Sequence, residues 1–227
     1  MHGYMKIPEL KKVCHAYGVS INEYLVAVYV WSVYTECMHG MPSERPVRVA
    51  VPVNLRPYFN SITTKNFFVM VSAEFHPTKE IYTFEEVLKS VSESLRSQIS
   101  RENLEKLFSY NVSNEKLLAA PIVPLFLKNL AMRYVYTTSA LANTATVTNI
   151  GNISVSEEYR PYVEMFHAFL AMSKGQHLKG TICSYGDTLV FSFSYDLTDA
   201  SVQRGFFRKI AADGIAVEIE TNGVNYE

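Results

Sequence analysis

The apolar positions change period between Thr181 and Gly214. Leu189, Phe191, Phe193 and Tyr195 fall on one face of a period-two run, with Val190, Ser192 and Ser194 on the other. That alternation predicts a strand with one core face and one semi-polar face. The β-prone run Thr181–Tyr185 precedes it, and Gly186-Asp187 is a two-residue connection suited to a tight hairpin. Asp196 to Asp199 then offers helix N-caps. Val202, Phe206 and Ile210 recur at i, i+4 and i+8, with Phe207 beside them and Gly214 as a stop. A hairpin followed by an amphipathic helix is predicted.

The rest of the chain reads in the same way. Ile7 to Tyr17 is a helix ending at Gly18. Ser20 with Glu23 forms a capping box that opens a helix to about Cys37. Leu25, Val26, Val28, Tyr29, Val30, Trp31, Val33 and Tyr34 leave it apolar nearly all round, so it is expected between layers. Val47 to Val53 is a β-branched strand ended by Pro52 and by Asn54 to Pro57. Phe67 to Phe75 is almost continuously apolar and is predicted to be buried on both faces. A second capping box, Thr83 with Glu86, starts a helix whose stripe is Phe84, Val87, Leu88, Val91, Leu95 and Ile99. Short helices are expected over Glu102–Tyr110, Asn114–Ala119 and Val123–Tyr136, the last with Pro124 near its first turn. Ala145–Asn149, Val163–Met172 and Ile215–Glu220 read as further strands. Interleaved strands and helices predict an α/β fold, a layered mixed sheet covered by helices. There is no internal repeat or linker, so residues 1–227 are expected to form one unit.

Composition narrows the function classes. With 227 residues, 48% of them hydrophobic, and a net charge of −1, the chain can bury a sizeable core and has no basic surplus for nucleic acid. No apolar run reaches the roughly eighteen residues of a membrane span, and the first residues lack the apolar segment of a secretory signal. Three cysteines, Cys14, Cys37 and Cys183, have no metal spacing and fit a reduced cytoplasmic protein with each thiol in the core.

Candidate chemistry is sparse. The six histidines are His2, His15, His39, His76, His167 and His177, and no two have ligand spacing. His2 reads as ordinary terminal sequence and His167 as a core or sheet-facing ring within a strand. No phosphate-cradling glycine loop, dinucleotide motif or Gly-x-Ser-x-Gly occurs. What remains is polar residues at strand ends: Asn54 and Arg56, then Asn149 and Gly151, then Asp196. Such positions line crevices in α/β folds. They also serve as turn formers, ion-pair partners and helix caps.

Taken in order, several segments resemble the chloramphenicol-acetyltransferase-like superfamily, nearest to its alcohol-acetyltransferase-like branch. These are Val19-Ser-Ile-Asn22, Val51-Pro-Val-Asn-Leu-Arg-Pro57, the strand after Asn66, Thr148-Asn-Ile-Gly151, and Gly186 to Asp196 with its following helix. The resemblance covers nearly the whole chain and matches the family's second, carboxy-terminal lobe. It implies two similar α/β lobes around a tunnel, with an acyl-CoA or acyl-carrier thioester as co-substrate and an alcohol or amine as acceptor. No tightly bound cofactor, metal, nucleic acid or membrane span is implied. The family's His-His-x-x-x-Asp-Gly signature, whose second histidine is the general base, is absent from this sequence, as is the Asp-Phe-Gly-x-Gly stretch of many second lobes. A missing amino-terminal lobe, or self-association through the face that lobe would cover, is therefore expected. A non-catalytic docking module is the alternative. By the resemblance, Asn149 and Gly151 would line the tunnel, Asn54 and Arg56 would be structural, and Asp196 would cap its helix.

Overall fold

A computed structural model describes residues 1–119, 124–173 and 175–222, with backbone alone at 117–119 and 139–141. Among the described residues seven strands form one mixed sheet: β1 (His2–Lys6), β2 (Val47–Asn54), β3 (Phe68–Phe75), β4 (Ala145–Asn152), β5 (Leu178–Tyr185), β6 (Thr188–Tyr195) and β7 (Val217–Glu220). Their spatial order is β3-β2-β4-β5-β6-β1-β7. β2, β4 and β5 run parallel to one another, and every other neighbouring pair is antiparallel. The hairpin turns at Gly186-Asp187, with Tyr185 paired to Thr188. The α/β layered architecture read from the sequence is the one observed.

One helix organises the core. α2 (Ile21–Ser32) starts from the Ser20/Glu23 capping box and continues as a short π-helix, Val33–Cys37. Every side chain from Tyr24 to Val30 is buried. α1 (Ile7–Tyr17), α4 (Phe84–Gln98), α7 (Ser201–Ala212) and β2 all pack on it. Its polar handles are satisfied: the Tyr24 hydroxyl donates to Asp213 at 2.7 Å, and the Tyr29 hydroxyl donates to the Leu178 carbonyl at 3.3 Å. At its first turn, Arg96 of α4 donates from Nε to Glu23 Oε1 at 2.5 Å. Burial opposes the charge on Glu23, yet Arg96 and the Ser20 contacts outweigh it and hold the carboxyl below its ordinary range.

Four expectations need correction. Phe67–Phe75 is not buried on both faces. β3 is an edge strand with helices on one side only, and Phe68 and Met70 are 47% and 44% exposed. Its free edge is closed by α4. Gln98 accepts from the Ser72 N–H and donates to the Ser72 carbonyl, Ser94 Oγ accepts from the Glu74 N–H, and Ser90 Oγ donates to the Glu74 carbonyl. The second correction concerns Val163–Met172, which joins no ladder. It is a strap across the sheet face opposite the helices. Cys183 Sγ donates to the Phe166 carbonyl, Lys179 Nζ donates to the Ala171 carbonyl, and the Phe166 ring meets Tyr185. Apolar alternation is the same for a ladder strand and a strap that covers one. Third, His2 is not ordinary terminal sequence, because it belongs to β1, which lies between β6 and β7. Fourth, Glu102–Tyr110 and Asn114–Ala119 form one helix, α5 (Arg101–Ala119). The next helix, α6, spans Leu125–Leu141 with Pro124 as its N-cap, and Val123 lies outside the described residues.

β1 fits only because Gly3 has no side chain. A Cβ there would sit 2.1 Å from Phe207 Cε1 of α7, whose ring packs on Phe193 and Phe206. Gly3→Ala is expected to destabilise the fold by about 1–3 kcal/mol through overpacking. In urea titration the midpoint should fall with an unchanged slope. An unchanged midpoint would show that the Phe207 ring is free to move aside.

Candidate functional site

The parallel strands β2, β4 and β5 end at one edge of the sheet, and a cleft of about 460 Å³ opens there between β4, the β5–β6 turn and the start of α1. Asn149, Gly151, Asn152, Lys11, Ser184 and Asp187 supply its polar lining, and Ile7, Ile21, Ile182 and Leu189 supply apolar walls. The carboxyl ends of parallel strands are where α/β sheets present ligands.

Asn149 is held by local geometry. A β-bulge shifts the β4–β5 register between Asn149 and Gly151. Gly151 takes φ +87, a conformation that side chains disfavour, and nothing lies within 4 Å of the Cβ it lacks. Glycine is needed there for the backbone and not for space. The Gly151 N–H donates to Asn149 Oδ1 at 2.8 Å, and Asn149 Nδ2 reaches Asn22 Oδ1 of α2 at 3.5 Å. The amide O and N are assigned by this network. The carboxamide keeps one further N–H. Asn22 had no role in the site predicted from the sequence; the signal was a polar side chain in the first turn of an otherwise apolar helix.

The other candidates separate. Asn54 and Arg56 lie at the carboxyl end of β2, on the same sheet edge but outside the cleft lining. Arg56 clasps the following loop, donating to the carbonyls of Thr63 at 2.9 Å and Lys65 at 2.6 Å and to Asn54 Oδ1 at 3.2 Å. Asp196 follows β6, which runs antiparallel to β5, so it lies at the opposite edge. It does not cap α7: the N-cap position is Ala200, and Asp199 receives the Ser201 N–H at 2.9 Å. Asp196 Oδ1 instead meets His177 Nδ1 at 3.0 Å. Asp187 in the cleft is paired with Lys6 at 3.0 Å, which holds its carboxyl below the ordinary range. Burial pushes the Cys14 and Cys183 thiols upward, away from thiolate chemistry at neutral pH.

Two roomier clefts, of about 900 and 830 Å³, flank His167 on the strap side. Between them His2 Nδ1 meets Ser192 Oγ at 2.9 Å, and the His2 and His167 rings lie 4.4 Å apart. The Tyr4 hydroxyl meets His167 Nε2 at 2.8 Å and donates to Glu220. Burial and Glu220 push the Tyr4 phenol up to about 12. We place the candidate site in the smaller cleft, because these imidazoles are engaged in fastening the strap.

Among the described residues no helix is long and apolar enough to cross a membrane, and no group of three or more His, Cys, Asp or Glu could hold a metal. No protein-family model matches the sequence, and no curated protein matches it significantly. Solved structures do match. A trichothecene 15-O-acetyltransferase from Fusarium sporotrichioides superposes with a TM-score of 0.62 at 13% identity, over 94% of this chain and 46% of its own. The chain shares the fold of that structure. A second structure, the epimerization domain from the third module of tyrocidine synthetase B, gives 0.57 at 12% identity, over 94% of this chain and 47% of that one. Polyketide synthase associated protein 5 from Mycobacterium tuberculosis gives 0.55 at 9% identity, over 93% and 51%. The chain thus spans about half the length of these three structures.

The strap-side cluster makes stability depend on pH. Burial, the His167 ring and the Met1 amine lower His2, with Glu220 opposing. The folded state therefore favours neutral His2. Its contribution is complete above the unperturbed imidazole value of about 6.5 and is lost as pH falls through the lowered value. Thermal unfolding from pH 7.5 to 5 should show a steeper loss for the parent than for His2→Gln. Parallel curves would assign the loss to other groups.

Proposed function

We propose that this chain, over the whole of 1–227, is the carboxy-terminal lobe of an acyltransferase that moves an acyl group from a thioester, acyl-CoA or acyl carrier, to an alcohol or amine. The observation that carries the reading is a half-length match: one mixed sheet under helices, superposing on about half of several acyltransferase-like and condensation-like structures. Its sequence has six histidines and no His-His pair. The base then comes from a partner lobe.

In that assembly the acceptor hydroxyl or amine gives its proton to the partner's imidazole as its oxygen or nitrogen attacks the thioester carbonyl. The carbonyl oxygen becomes an oxyanion, and collapse expels the thiolate, which recovers the proton. The role of this chain is to bind and orient. Asn149, braced by Gly151 and Asn22, offers its remaining amide N–H to the acyl oxygen. A single such donor is worth about 10²–10³ in kcat. Arg56 and Asn54 hold the neighbouring loop, and the apolar walls exclude water. No tightly bound cofactor is needed for this chemistry. The three free cysteines suit a reducing cytoplasm.

Two measurements test the reading. The purified 227-residue chain, given acetyl-CoA and simple alcohols or amines, is expected to release no thiol above background; robust turnover would overturn the lobe assignment. In the complete two-lobed protein, Asn149→Ala should lower kcat by about 10²–10³ while KM for the thioester changes little. A change in KM alone would make Asn149 a binding residue instead.

A further inference from the structure

α6 carries apolar side chains on every side and yet is left uncovered among the described residues. Leu125, Phe126, Leu127, Leu130, Tyr134 and Val135 point around the whole helix, and Leu125, Leu130 and Tyr134 are 72%, 61% and 71% exposed. Among the described residues none of its side chains joins the core or packs against it. A helix with no polar face is one that a complete protein buries on every side. Water is the wrong medium for it. A bilayer surface suits it no better, since an interfacial helix needs a strongly polar face. At 17 residues it is about 25 Å long, short of the roughly 30 Å hydrocarbon core, and it carries Lys128 and Arg133.

What remains is protein. The solved relatives are about twice as long as this chain, so a second half of similar size is the available cover. Charge adds a further constraint. From Lys116 to Ser156 there is no Asp or Glu, whereas Lys116, Lys128 and Arg133 are cationic. Among the described residues neither Lys128 nor Arg133 pairs with a carboxylate. We infer that α6 is the arm by which this chain inserts into its partner lobe, in an apolar groove whose rim carries carboxylates facing Lys128 and Arg133. The inference rests on the two-lobed reading above and names the element that joins the halves.

Hydrogen exchange over residues 125–138 tests it. An unsupported helix of this length is marginal in water, so in the 227-residue chain these amides should exchange rapidly. In the complete two-lobed protein they should exchange at least about tenfold more slowly, and Leu130→Glu with Tyr134→Glu should abolish that protection. The same pair of changes should leave the unfolding temperature of the 227-residue chain unaltered, because among the described residues neither side chain packs on the core. If the reading frame encodes no second half, the two-lobed reading falls and the inference with it. If the half exists and α6 exchanges equally fast in both proteins, only the inference is overturned. Protection that grows with concentration of the 227-residue chain alone would overturn it in favour of a second copy. Protection on adding phosphatidylglycerol vesicles would overturn it in favour of a lipid surface.

Discussion

An all-apolar helix is stable in a protein only when something covers each of its sides, and α2 obliges the rest of this structure to do so. The sheet lies under it, α1, α4 and α7 lie around it, and the Arg96–Glu23 pair fixes its first turn. Covering α2 brings β2 and β6 together through the core, since Tyr29 meets Phe193 and Phe206 while Val49 and Val51 line the same layer. A single fully buried apolar side chain is worth about 1.5–3 kcal/mol relative to exposure. Seven consecutive ones leave few alternative arrangements.

The same constraint places the site. Because α2 is pinned along its length, its first turn has a fixed height over the sheet, and Asn22 arrives beside Asn149. The bulge at Gly151 turns the Asn149 carboxamide toward the cleft from the other side. Two short polar segments far apart in sequence thus meet because an apolar helix between them cannot shift. α6 shows the opposite case: it carries apolar side chains on every side, and no layer among the described residues holds it.

Much of this was legible in the residues. The capping boxes at Ser20 and Thr83 mark helix starts correctly, and the alternation in Leu189–Tyr195 with Gly186-Asp187 before it locates the hairpin. Where reading failed, the local pattern was compatible with two tertiary outcomes. Phe68 and Met70 are apolar, so nothing in the sequence says that their face is the uncovered one. Met165-Phe-His-Ala-Phe169 alternates as a strand would, and only the side-chain contacts of Cys183 and Lys179 show it to be a strap. Asp196 looks like a cap because it precedes a helix, but the helix begins five residues later and Asp199 takes the nearby N–H. The pairing of Asn22 with Asn149 spans 127 positions and depends on how deeply α2 is seated.

The position of β1 carries a consequence for biosynthesis. Its partners are β6 and β7, so His2 pairs with Ser192 and Glu220. β1 is synthesised well before β6 and β7 and must wait for them before it can enter the sheet. Contacts of such sequence separation slow folding, because the loop must close before the pairing rewards it. Until then β1 is an unpaired strand open to any passing edge, and a nascent chain of this design has reason to be shielded by a chaperone until β6 and β7 are made.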